Sequence, residues 1–523
     1  MAAGRRGRPY LVPEDTTSLR SPTADVDARV GWLLLMSRLH HSDPGFALGE
    51  SFNAALEAVG LRADRSAVSR WESGKVTPRY SVLQAYEQAL GMPPGQLTSV
   101  VNALRRALGG QGLPTWMPVL DQKSPHFHAE LDRLFDTLID GPGTGPDWTS
   151  LAHHVAATET MYVPATAWRQ ISLRLVQQMS RSVGVFYLQR FEAMRLLLEH
   201  RVAHPWLLHA VGEFLDDPAV QIINDPMGVL ELSRAPESAA VILDTFLTAK
   251  SLEVSLAAAD AVAIKIEEDC YTDAQMVEIE KVISTQLGKP GASAAGFEDL
   301  VMALPERTQD KLLRQSRGVS GHEQLAQAAA HGERFSPDTA KRVSQRIADA
   351  VRARQPAANL YDEDKMTPRL IREAVFAARG SRTHYACIFL SGSPVRPPMA
   401  AALAAEIEDV GLDDPMTPRF ARVLRYLANP PQEEQMLRWL PKAPPGVARD
   451  LALGLGHLES QRPLDELVPL ITGDRSLLDR ALLYGLGMRQ ALALQPVADD
   501  ERQPTHVRAA AEWWLRQGGA VRT

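Results

Sequence analysis

Six side chains within fifteen positions of this 523-residue chain have the chemistry to read nucleic acid: Arg65, Ser66, Ser69, Arg70, Lys75 and Arg79. A guanidinium presents a planar fork of donors that matches guanine O6 and N7. A serine hydroxyl can meet a base edge or a phosphate, and a lysine meets phosphate as a point charge. Arg65 and Ser69 are four apart, as are Ser66 and Arg70, so on a helix the four share one side. Val68 and Trp71, three apart, fall on another side and can pack. The pattern predicts a short helix with a packed side and a hydroxyl and guanidinium side.

The sequence carries no recognisable catalytic motif. The chain has no phosphate-cradling P-loop, dinucleotide glycine pattern, nucleophile elbow or zinc-binding His-Glu-x-x-His. Glu267, Glu268 and Asp269 beside Cys270 read as the solvated end of an amphipathic helix. Asp362, Glu363 and Asp364 fall short of a calcium-loop pattern. His126 and His128 lack the companions a metal site needs and read as exposed linker residues. Trp513 and Trp514 read as packing, and Ser391–Met399, SGSPVRPPM, as a rigid loop. No enzyme activity, cofactor or metal is expected.

The elements around the six residues are legible. Asp64 is a natural N-cap, Gly74 a natural left-handed stop, Lys75 suits the negative helix end, and Pro78 marks the exit. Before them, Val30, Leu33 and Leu34 mark one amphipathic helix, and Phe52, Ala55, Leu56 and Val59 a second ending at Gly60. After them, Leu83, Tyr86 and Leu90 mark a fourth helix, and Leu97, Val100, Val101, Leu104 and Leu108 a fifth.

Ser66, Val68, Ser69, Arg70, Trp71, Glu72, Gly74, Lys75 and Pro78 together resemble the signature of the Cro/C1-type (XRE) helix-turn-helix regulators. The match is tight over Asp64–Pro78 and looser over the first hundred residues. The chain departs from the family at Arg65, where glutamine is common, and in the long DPGFALGES approach to the second helix. The resemblance implies a five-helix head whose third helix enters the major groove of double-stranded DNA. It implies that Arg65, Ser66, Ser69 and Arg70 face the groove, Lys75 and Arg79 meet phosphate, and Glu72 is structural. It also implies a homodimer reading two half-sites.

Size and charge agree with a DNA-reading head on a larger body. So long a chain calls for two or more domains. Residues 1–110 hold 13 Lys and Arg against 10 Asp and Glu, leaving 43 against 53 downstream, for a net charge of −7 overall. Arg5, Arg6 and Arg8 form a basic R-G-R-P arm that resembles the core of an AT-hook. It reads either as a minor-groove contact or as a disordered terminus attracted to phosphate. No apolar run is long enough to span a bilayer, and no secretory signal is present. Two distant cysteines suit a reducing compartment, so a cytoplasmic, nucleoid-associated protein is expected.

The chain is expected to be all-α: a flexible basic arm at 1–24, a helix-turn-helix domain at 25–110, and a linker with a docked helix at 111–148. Beyond it, 149–355 and 356–523 read as two lobes of a helical body. Short breaks and small residues at contact positions make that body resemble a degenerate HEAT-like α-solenoid. The expected function is sequence-specific transcriptional regulation, the body dimerising or sensing a small molecule or protein. The alternative is a protein-interaction scaffold that the head anchors to DNA.

Overall fold

The computed structural model describes residues 10–109, 117, 119–158, 161–217, 219–221, 228, 230–231, 233, 235–249, 252–289, 291–355, 359–361, 363–474 and 477–523. Among these the fold is all-α, with no β-strand and a few isolated bridges. None of the described helices is long and apolar enough to cross a membrane. The chain forms two compact units that interleave along the sequence. Unit 1 comprises 1–116, 337–377 and 381–435; unit 2 comprises 117–336, 378–380 and 436–523. The stretch around 352–364, where a division into lobes was expected, therefore lies inside unit 1.

Unit 1 begins with five helices: α1 (Val26–Leu39), α2 (Glu50–Ala58), α3 (Arg65–Glu72), α4 (Tyr80–Ala89) and α5 (Gln96–Leu108). The DPGFALGES approach forms a 3-10 turn at Pro44–Leu48, with the Asp43 carboxylate accepting from Gly45 N at 2.8 Å. α1 is buried on every side: 13 of its 14 residues are inaccessible, from Val26 to Leu39. Val30, Leu33 and Leu34 were expected to form a single apolar face, but Trp32, Leu35 and Met36 are equally buried. A helix that is apolar all round needs packing on both sides. Here the second layer comes from far along the chain. The Trp32 ring lies 5.7 Å from that of Phe389, and its Nε1 donates to Asp364 at 3.1 Å.

Asp364 in turn accepts from Met366 N and Thr367 N at 3.0 Å each, which starts the helix Met366–Phe376. Residues read as a failed calcium loop thus supply a cap, and Asp362 lies outside the described residues. Ser391–Met399 also differs from the rigid loop expected, because a helix, Arg396–Val410, starts within it. Pro397 and Pro398 occupy its first turn, where a missing N–H costs no intrahelical bond.

Residues 10–24 were expected to be a flexible arm. From Tyr10 onward they lie packed in unit 1, with Asp15 and Leu19 buried. The physical reason is a buried ionic junction beneath them. Arg29 Nε and Nη2 donate to Asp15 at 2.7 and 2.6 Å, and Nη2 also to Glu373 at 2.7 Å. Glu373 further receives Arg369 at 3.0 Å and Arg382. Burial pushes the Glu373 carboxyl upward, but Arg29, Arg382 and Arg369 outweigh it and hold it below the usual carboxylate range.

In unit 2 most helices pack on near sequence neighbours. Gly145–Ala156 lies on Gly184–Glu199, Ala165–Met179 on His204–Asp216, and Pro236–Thr248 on Leu252–Glu267. The expected docked helix runs Pro125–Ile139, capped by Ser124, and packs on Gly145–Ala156. Small residues permit a close crossing between Pro445–His457 and Leu477–Gln490. A Cβ added to Gly456 would sit 2.8 Å from Gly485 Cα. Trp513 and Trp514 are both buried and meet edge-on at 4.9 Å.

Glu267 is not simply solvated, for it pairs with Arg379. The short passage 378–380 is anchored beside it. Gly380 N donates to Asp299 Oδ2 at 2.7 Å, and a Cβ there would lie 3.3 Å from Asp299 Oδ2 and 3.4 Å from Asp260 Oδ2. Burial and the Asp260 charge push Asp299 up to about 7. An acid whose folded pKa is raised stabilises the fold while protonated, and that contribution is lost as pH rises from the ordinary carboxyl value of 3.8 through about 7. Asp299→Asn should therefore flatten the loss of thermal stability between about pH 4 and about pH 7. An undiminished loss in the variant would refute that assignment.

Candidate nucleic-acid interface

The site is built on α3. Asp64 caps it, its carboxylate accepting from Ala67 N at 2.6 Å. Over the two turns that follow, Arg65, Ser66, Ser69 and Arg70 are all exposed, while Val68 is buried and Trp71 half-buried. The Trp71 ring stands edge-on to Tyr86 at 6.5 Å. At the end of the helix the chain reverses at Gly74, which has φ +68°. Lys75 N and Val76 N then both donate to Arg70 O, at 3.0 and 3.2 Å. The reversal is also a close approach. A Cβ on Gly74 would fall 2.8 Å from Asp27 O, and one on Gly31 would fall 2.6 Å from Gly74 N. Only glycine meets both demands. Beyond the turn Lys75 and Arg79 are exposed, and the Thr77 hydroxyl donates to Asp27 at 2.8 Å.

The six residues singled out from the sequence therefore share α3 and its exit, and all six face solvent. Arg5, Arg6 and Arg8 lie outside the described residues. His126 and His128 are exposed on their helix. Cys270 is exposed and Cys387 buried, neither of them bridged.

Glu72 holds α3 in place from below. Arg38 on α1 donates to it through Nε and Nη2, each at 2.6 Å, and Tyr86 OH donates at 3.2 Å. The remaining Arg38 nitrogen reaches Phe46 O at 2.9 Å in the 3-10 turn, and the guanidinium lies 4.9 Å from the Tyr10 ring centroid. Burial would release the Arg38 proton, but the bonds to Glu72 and its charge outweigh burial and raise the pKa. The long approach to α2 thus has a physical role in closing this pocket. Removing one partner of a buried bidentate pair strands the other. Glu72→Ala should cost about 3–5 kcal/mol, read as a lower urea midpoint; a loss of under about 1 kcal/mol, the range of exposed pairs, would contradict the assigned geometry.

Sequence reasoning did not single out Arg62. It stands between α2 and α3 with its side chain 91 % exposed, 3.7 Å from Glu57. A cation three residues ahead of Arg65 was the available signal. So exposed a pair holds the guanidinium weakly.

No family model and no curated protein matches this chain. Two solved structures, described as the crystal structure of Kap121p and that of a Kap121p mutant, align with 90 % of this chain at 12 % identity, with TM-scores of 0.23 and 0.22. This chain spans about half of their length, 47 % of each. At those scores the likeness carries no argument about fold or function.

Proposed function

We propose that this chain is a sequence-specific regulator of transcription that binds double-stranded DNA. In this reading α2 and α3 form a helix-turn-helix and α3 enters the major groove. The observation that supports it most is the display of Arg65, Ser66, Ser69 and Arg70 on one exposed side of α3, with Lys75 and Arg79 at its exit. A helix that keeps two guanidiniums and two hydroxyls in water, on a base locked by Glu72 and Gly74, matches what a groove-reading element requires. Arg65 and Arg70 would pair with guanine, and the serines with bases or phosphates. Lys75 and Arg79, joined by Arg62, would meet phosphate.

The protein would act as a homodimer on two half-sites, in the cytoplasm on the nucleoid. Unit 2, whose helices pack on sequence neighbours, would be a HEAT-like solenoid that senses an effector or partner. Selection of bound fragments from randomised and genomic DNA, using the full chain, tests the reading. Discrete palindromic sites are expected. Retention that is uniform across sequence, or no retention in low salt, would refute it.

A further inference from the structure

The segment 10–24 touches nearly every part of unit 1 that α3 depends on. At one end Tyr10 N donates to Leu360 O at 3.1 Å, and Tyr10 OH donates to Ala47 O at 2.6 Å in the 3-10 turn. The Tyr10 ring covers Arg38, the partner of Glu72. In the middle Asp15 pairs with Arg29. Arg369 then donates to Thr17 O at 2.6 Å, and Arg382 donates to Ser18 O and Ser21 O at 3.0 Å each, and to Thr23 O. At the far end Ala24 N donates to Leu108 O at 2.8 Å.

α1 converts these anchors into a mechanical connection. Arg29 and Arg38 are nine residues apart, which at 3.6 residues per turn places them on opposite sides of the helix, about 180° apart. One side therefore holds the ion pair to Glu72 on α3, and the other the ion pairs to Asp15 and Glu373. The segment forms no helix or strand and is held mainly through main-chain carbonyls and the carboxylates of Asp15 and Glu14, the latter 3.3 Å from Lys365, with Leu19 as its buried apolar anchor and Leu11 77 % exposed. Segments with few apolar contacts open at lower free energy than the helices they cover.

We propose that residues 10–24 are a strap that gates DNA reading: docked, it fixes α1 and hence α3, and when it lifts, α3 loosens. The consequence for DNA rests on the proposed function; the coupling between strap and α3 does not. Whatever displaces the strap, by competing for Arg29, Arg369 and Arg382, would weaken binding without touching α3. Because coupling between two sites is reciprocal, bound DNA would in turn hold the strap down.

Amide hydrogen exchange on the full chain tests this without DNA. Asp15→Asn weakens the strap at the Arg29 junction, and Tyr10→Ala weakens it at the other end, where its ring lies against Arg38. Both should speed exchange in α3 by roughly tenfold or more, with protection in Pro445–His457 and Leu477–Gln490 retained. Unchanged exchange of α3 in both variants would overturn the proposal. So would a loss of protection throughout the chain in both, which would make the strap a general stabiliser. Saturating operator DNA should slow exchange across 15–24. Should the wild type bind no DNA while the variants still loosen α3, the proposed function fails and the strap stands.

Discussion

A fragment ending at Gly110 will not fold by itself. α1 is the reason, since its burial depends on residues more than three hundred positions away. Without 337–435, Trp32 loses Phe389 and Asp364, and Arg29 loses Glu373. Gln96 loses its bond to Gly392 O, and Val100 loses the backbone of Gly392, where a Cβ would sit 2.8 Å away. Each large apolar side chain returned to water costs about 1.5–3 kcal/mol, and breaking a buried ion pair about 3–5 kcal/mol. Together these approach the whole stability of an ordinary domain, about 5–15 kcal/mol. The expected result is a fragment without a cooperative thermal transition, and recovery of one when 337–435 is supplied in trans. A sharp transition in the fragment alone would refute the non-collinear architecture as a folding requirement.

The second large effect is expected at Arg65 and Arg70. If each pairs bidentately with guanine, either alanine substitution should cost about 1–3 kcal/mol, or roughly 5- to 150-fold in operator affinity. Affinity for random DNA should change far less. Both side chains are exposed, so the fold should be untouched, and equal melting temperatures would separate lost recognition from lost structure. Lys75→Ala should behave differently. A phosphate contact weakens all sequences alike and lowers the slope of log K against log salt by about 0.9. Unchanged discrimination in both arginine variants would remove base reading from α3. An unchanged salt slope in the lysine variant would remove phosphate from Lys75. These outcomes are independent, because the arginines and the lysine project from different parts of the motif.

The local features of α3 needed only local chemistry, so they were legible in the chain. Asp64, the spacing of Val68 and Trp71, Gly74 and Pro78 act within a turn or two, and each does in the structure what its residue type dictates. The exposure of Arg65, Ser66, Ser69 and Arg70 followed from the same periodicity. Apolar repeats marked α1 to α5, and Gly60 and Gly74 marked the ends of α2 and α3, for the same reason. The resemblance gave Glu72 a structural role, but its partner stayed hidden: Arg38 lies thirty-four positions away. The visible clue was a helix apolar all round, VGWLLLM, that nonetheless carries an arginine toward each end. Such arginines must find carboxylates, and such a helix must be covered twice.

What tertiary structure alone decided is who covers α1. Periodicity states that a face is apolar and is silent on what lies against it. An extended segment such as 10–24, with little apolar content and many Ser and Thr residues, reads as free coil until the arginines beneath its carbonyls are known. Arg369 and Arg382 are distant in sequence, and no local rule connects them to Thr17 or Ser21. The chain's own residues determined an all-helical fold and a short helix with two exposed guanidiniums. The long-range packing of α1 determined that this helix is held by a strap and a second layer from 337–435, because a buried guanidinium is tolerated only where carboxylates from elsewhere converge on it.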